Sequence, residues 1–170
     1  MMRERNTVKG FFLLLVLNVL MYVAWATSSY ADASQYLFNQ GKSDYTICLS
    51  DTASPSEKYA AEELQRCFKE SAGVALPIVS ARESGHKIVL GFGDFSVSLG
   101  VDVDAASLGE QGYILRTVGD HLVIAGTPEA GTLYGVYDFL ETVLGVRWYA
   151  PGITHVPKLD SAPLPNMDKI

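Results

Sequence analysis

Two amphipathic helical stretches, set among short strand-like runs, constrain this chain more than any other feature. Ser54-Pro55-Ser56-Glu57 opens the first. Ser54 can cap a helix, Pro55 suits its first position, and Glu57 completes a capping box. Ala60, Ala61, Leu64, Cys67 and Phe68 then share one face at about 100° per residue, and Lys58, Glu62, Gln65, Arg66 and Lys69 fill the other. Tyr59 falls on the polar side, and Gly73 is a natural terminator. The second stretch runs from about Glu129 to Leu144 and stops at Gly145. Its apolar stripe is Leu133, Val136, Tyr137, Leu140 and Leu144, with Asp138 at the opposite pole. Helices apolar on one side need a common layer to bury against.

That layer is read from the runs between them. Tyr45–Leu49, Leu76–Val79, Lys87–Gly91, Gly112–Val118, His121–Gly126 and Val146–Tyr149 are rich in branched and aromatic residues. Pro77 cannot donate to a central ladder, so its run belongs at an edge. Gly119-Asp120 joins two runs as a hairpin. Residues 92–111 read as irregular. The order predicts an α/β domain of the α+β type: a mixed sheet of about five strands with two helices packed on one face.

The flanks read differently. Residues 1–26 place Arg3, Arg5 and Lys9 before an apolar run from Phe11 to Ala26, followed by small residues. This is the order of a signal peptide, cleaved, or kept as an N-terminal anchor. The chain is therefore expected to be exported, periplasmic or extracellular, with membrane contact only through that segment. Residues 27–44 form a lead-in, 45–157 the domain, and 158–170 a proline-rich linker, since four of seven prolines lie in the last twenty residues.

Chemistry is sparse. The net charge of −6 becomes −8 without residues 1–26, and no basic face can be read, which excludes nucleic acid as a partner. Cys48 and Cys67 stand on a strand and a helix, and read as two buried thiols, with a disulfide permitted on export. His86, His121 and His155 lack metal spacing and read as surface histidines. Asp102 and Asp104 could be paired acids for glycosidic work, but in a loop they read as a solvated turn. Gly91-Phe92-Gly93-Asp94 lacks the third glycine of a dinucleotide loop. No catalytic, cofactor or metal constellation is found, and at 170 residues the chain is too short for a (β/α)₈ barrel, which needs about 200 or more.

Taken in order, Ala60-Ala61-Glu62-Glu63-Leu64, GVALPI (73–78), IVLG (88–91), Gly112-Tyr113-Ile114, LVIAG (122–126), GTLYGVYDFLE (131–141) and LGVRWYAP (144–151) resemble a known module. It is the N-terminal domain of α-glucuronidases of glycoside hydrolase family 67, similar also to the domain preceding the barrel in bacterial family 20 β-hexosaminidases. The resemblance implies helices on one face of a sheet, and a catalytic (β/α)₈ barrel as neighbouring domain or subunit. The acid and base of such enzymes sit in that barrel and have no counterpart here. The implied role is therefore a non-catalytic accessory domain in the degradation of xylan or glucuronoxylan-type polysaccharide; the alternative is a free-standing carbohydrate-binding module.

Gly131 and Gly135, one turn apart in the second helix, suggest close approach by another element, or in the case of Gly131 only a helix start. With Arg147 and Tyr149 they form a possible domain-docking face. Strand alternation sends Trp148 one way and Arg147 and Tyr149 the other. Trp148 is expected in the core, or else as a carbohydrate-stacking ring.

Overall fold

The computed structural model describes residues 35–81 and 83–170. The signal or anchor assigned to residues 1–26 lies outside them, as does the first part of the lead-in. Among the described residues no helix is long and apolar enough to cross a membrane.

Helix α1 (Pro55–Ala72) forms where its capping box places it. Ser54 Oγ accepts from the Glu57 N–H at 3.1 Å, and Glu57 Oε2 accepts from the Ser54 N–H at 2.8 Å. Ser54 Oγ also donates to the Pro128 carbonyl at 2.6 Å, which ties the start of α1 to a distant loop. Gly73 closes the helix in the left-handed conformation. The five residues of the apolar face are all buried.

The main sheet has six strands: β2 (Tyr45–Leu49), β3 (Ile78–Val79), β4 (His86–Leu90), β5 (Tyr113–Val118), β6 (His121–Gly126) and β10 (Asp168–Lys169), in the order β10-β5-β6-β4-β2-β3. Strands β6, β4, β2 and β3 are parallel, while β5 and β10 bring in antiparallel pairing. The fold is α+β with a mixed sheet. As Pro77 requires, β3 lies on the edge, and β5 and β6 form the hairpin.

Strand alternation gives the sheet two different faces. Ile47, Ile88, Leu90, Leu122 and Ile124 point toward α1 and α3 (Gly131–Val143), forming the larger core with Leu64, Phe68, Val136, Phe139 and Leu140. Cys48, Val89, Val123 and Ala125 point the other way. There they meet Phe95 and Leu99 from a short helix, α2 (Asp94–Ser98), and its exit, with Val101 beyond. The stretch 92–111 is thus not wholly irregular: it carries α2 and a 3₁₀ turn at Ala105–Leu108. Its single apolar residues among polar ones give a helix this short no readable period.

Both flanks of the domain differ from expectation. The lead-in carries β1 (Tyr36–Asn39), and the stretch read as a linker carries β9 (Ser161–Pro163) and β10. Strands β1 and β9 pair antiparallel and bury Leu37, Phe38 and Ala162 against the helices. Phe38 meets Phe68 edge-to-face at 5.6 Å. Beyond β9, Thr117 on β5 accepts, through its hydroxyl, from the Met167 N–H, and Arg116 pairs with Asp168 at 2.7 Å. Proline is tolerated here because β9 and β10 sit at sheet edges.

The last predicted strand also moves. β7 (Arg147–Ala150) does not join the main sheet but pairs with β8 (Ile153–His155) in a separate hairpin. The main sheet gains its sixth strand from β10 instead.

Candidate functional site

Every residue of the β7–β8 strands is exposed. A two-stranded hairpin alone is marginal in water, so its anchors matter. Leu144 and Val146, just before it, are buried in the main core. The Val146 N–H donates to the Leu140 carbonyl at 3.0 Å, closing the end of α3. Gly145 makes the turn at φ 73°. Arg147 lies over the same helix end: its Nη1 donates to the carbonyls of Glu141 at 2.9 Å and Val146 at 2.8 Å. A cation at a helix C-terminus is favourable by about 0.3–1 kcal/mol. Arg147 is thus a cap with its charge still half in solvent.

Trp148 is not a core residue. It is 37% exposed and packs edge-on against Tyr137 of α3, ring centroids 4.9 Å apart. Burial pushes the Tyr137 hydroxyl up to about 12, with the neighbouring Tyr59 hydroxyl adding to the shift. Tyr59 of α1, Tyr137 of α3 and Trp148 of the hairpin therefore lie side by side, joining three elements. Tyr149 (70% exposed) and Ile153 (60%) extend the apolar surface along the hairpin. A register shift between Trp148 and Ala150 breaks the strict alternation that the sequence implied. Large apolar side chains gathered at the surface mark an interaction site.

Gly131 and Gly135 do meet a close neighbour, but it is the chain's own sheet. A Cβ on Gly135 would lie 2.8 Å from Ile124 Cγ2 and 3.2 Å from the Tyr113 ring. One on Gly131 would lie 2.2 Å from the Gly112 carbonyl oxygen. Both glycines are buried, so neither belongs to an outward docking face. The supposed outer pole is covered too: Asp138 accepts from the Tyr113 hydroxyl at 3.0 Å and from Lys169 Nζ at 2.5 Å. The buried face of α3 is Thr132, Gly135, Val136, Phe139 and Leu140, turned about a quarter turn from the expected stripe. That rotation leaves Tyr137 toward one flank and Tyr134 exposed on the outer side. Of the predicted docking residues, the structure leaves Arg147 and Tyr149 together on the surface, and adds Trp148, Tyr137, Tyr59 and Ile153. Tyr137 on the predicted helix stripe, beside an Arg-Trp-Tyr strand, was the available signal.

Several of the titratable residues have structural partners. Asp104 Oδ1 accepts from the Ala106 N–H at 3.0 Å, capping the 3₁₀ turn, and Asp102 is exposed. Glu63 is mostly buried and paired with Arg66 at 2.6 Å. His121 is half-buried, accepts from the Lys87 N–H at 3.2 Å and stands edge-on to Phe95. Burial, helped by His86 and Lys87, lowers its pKa. His86 packs edge-on to Tyr45, and His155 is exposed. Cys48 and Cys67 are both buried thiols in separate cores on the two sides of the sheet; burial pushes Cys67 up to about 11 and raises Cys48 as well. Among the described residues, no group of three or more His, Cys, Asp or Glu side chains could hold a metal ion.

A mixed sheet with two helices on one face, and an aromatic hairpin at the surface, defines an α+β module. The family model described as "Glycosyl hydrolase family 67 N-terminus" matches residues 33–139, and the chain belongs to that family. No curated protein sequence matches it. Among solved structures it is similar to a family GH115 4-O-methyl-α-glucuronidase "with specificity for decorated arabinogalactans", at 21% identity and a TM-score of 0.58. That match covers 74% of this chain and 17% of the other, so the chain spans less than a fifth of that enzyme's length.

Proposed function

We propose that this chain is an exported, non-catalytic accessory domain of a glucuronidase-type glycoside hydrolase, working beside a catalytic (β/α)₈ barrel in the breakdown of xylan or glucuronoxylan-type polysaccharide. The observation that carries this reading is the aromatic hairpin surface on a family 67 N-terminal domain. Trp148, Tyr149 and Ile153, with Tyr59 and Tyr137 behind them, are the contact surface for the barrel, and Arg147 holds the hairpin to the end of α3. Export is supported by the basic, apolar and small-residue order of residues 1–26.

Co-expression with a family 67 catalytic barrel stripped of its own N-terminal domain tests this. The full chain is expected to co-purify with the barrel and raise its thermal stability. Trp148→Ser combined with Ile153→Ser should abolish both effects while leaving the chain folded. A barrel equally stable and active with or without the chain would refute the reading, as would hydrolysis of aldouronic acids by the chain alone.

A further inference from the structure

The chain leaves neighbouring strands β2 and β4 in opposite directions. After β2 it runs through α1, on the face of the larger core, to β3 at one edge. After β4 it runs through α2, on the other face, toward β5 and β6. Strands β2 and β4 are parallel and paired from Tyr45↔His86 to Leu49↔Leu90, so their carboxyl ends lie level. In open α/β sheets, ligands bind in the crevice outside the carboxyl ends of the strands at such a reversal.

A cleft of about 650 Å³ occupies that position, within the size range of small-molecule sites. Its floor is Cys48 and Val89, the ends of β2 and β4. The turn after β2 supplies Ser50, Asp51 and Thr52, and the turn after β4 supplies Phe92 and Asp94. Ser80 and Ala81, where the chain crosses from β3 back to β4, line the opposite side. Gly91 lets the second turn bend away: its φ is 80°, and a Cβ there would strike Glu57 Oε1 at 2.2 Å.

The lining has a consistent chemistry. Ser50 and Thr52 are exposed and bonded to each other at 2.9 Å, so each keeps capacity for a further partner. Asp51 and Asp94 are exposed acceptors. Phe92 is half-buried and offers an apolar surface. Among the described lining residues none is Lys or Arg. Hydroxyls and carboxylate acceptors around an aromatic ring suit a neutral, polyhydroxylated ring, whose hydroxyls donate to carboxylates while its C–H face packs on the aromatic. Among the described lining residues, an anion would meet Asp51 and Asp94 as like charges. We infer that the switch-point cleft between the β2 and β4 turns binds a neutral sugar unit of a glycan. This site is separate from the hairpin surface and does not depend on the docking reading.

The test uses the full chain, isotope-labelled and held in a sugar-free detergent, followed by amide NMR. It is titrated separately with xylotriose, cellotriose and galactobiose, and with glucuronate and spermidine as charged probes. At least one neutral sugar should give saturable millimolar shifts at residues 49–52 and 91–96, with residues 147–155 unmoved. Asp51→Ala with Asp94→Ala should weaken that binding about tenfold or more, and Thr52→Val should weaken it independently without altering the melting curve. Silence with all three neutral sugars would overturn the inference. So would preferential binding of glucuronate or spermidine, or sugar-induced shifts confined to the hairpin. Loss of barrel docking in the hairpin variants would leave these titrations unchanged, so the two readings fail separately.

Discussion

Single atoms decide where α3 can sit. Gly131 and Gly135 exist because a backbone carbonyl, a tyrosine ring and an isoleucine methyl occupy the space a Cβ would need. The Gly131 contact is with the rigid Gly112 carbonyl, whereas the Gly135 contacts are with side chains. Gly131→Ala is therefore expected to cost more than Gly135→Ala, with overpacking of about 1–3 kcal/mol for the former, measured as the change in urea unfolding free energy. Equal stability for both variants and the parent would contradict this packing. His121 makes a second residue-scale prediction. Its folded pKa lies below the ordinary 6.5 because burial disfavours the imidazolium. As pH falls through 6.5, the unfolded chain takes up a proton that the folded chain resists, so stability declines on acidification and is restored as pH rises. His121→Gln should flatten that part of the stability profile. A parent profile that is already flat there would oppose it.

Legibility at the scale of elements followed the locality of the signal. Helix α1 was readable to the residue because its cap, stripe and terminator all lie within twenty consecutive positions. The β5–β6 hairpin was readable for the same reason. Helix α3 was found, but its inward face was misplaced: glycines carry no hydrophobic signal, and Gly131 and Gly135 line the packed side. Strands β1, β9 and β10 were missed because their partners lie far away in sequence. The pairing of β1 with β9 spans more than a hundred residues, and β10 completes an edge defined by β5. Removing residues 166–170 should therefore destabilise the domain by about 1–2 kcal/mol, through lost edge hydrogen bonds and the Arg116–Asp168 and Lys169–Asp138 pairs. A true linker would be removed at no cost, and thermal melting distinguishes the two. The hairpin was half legible: Arg147, Trp148 and Tyr149 were marked, but not their departure from the main sheet. Nothing in four residues states which sheet they join.

As a whole, the molecule joins a two-faced sheet to two separate surfaces. One is the aromatic hairpin at the end of α3, suited by its exposed rings to a protein partner. The other is the polar cleft at the carboxyl ends of β2 and β4. Asp104, one of two acids flagged in the sequence, is occupied as a cap. Hydrogen exchange on the full chain, alone and with the family 67 barrel, tests the central claim most directly. The account predicts slowed exchange at residues 147–155 and around Tyr59 and Tyr137 on addition of the barrel, with residues 49–52 and 91–96 unaffected. Protection centred on the cleft, or no protection anywhere in a mixture of folded partners, would contradict it.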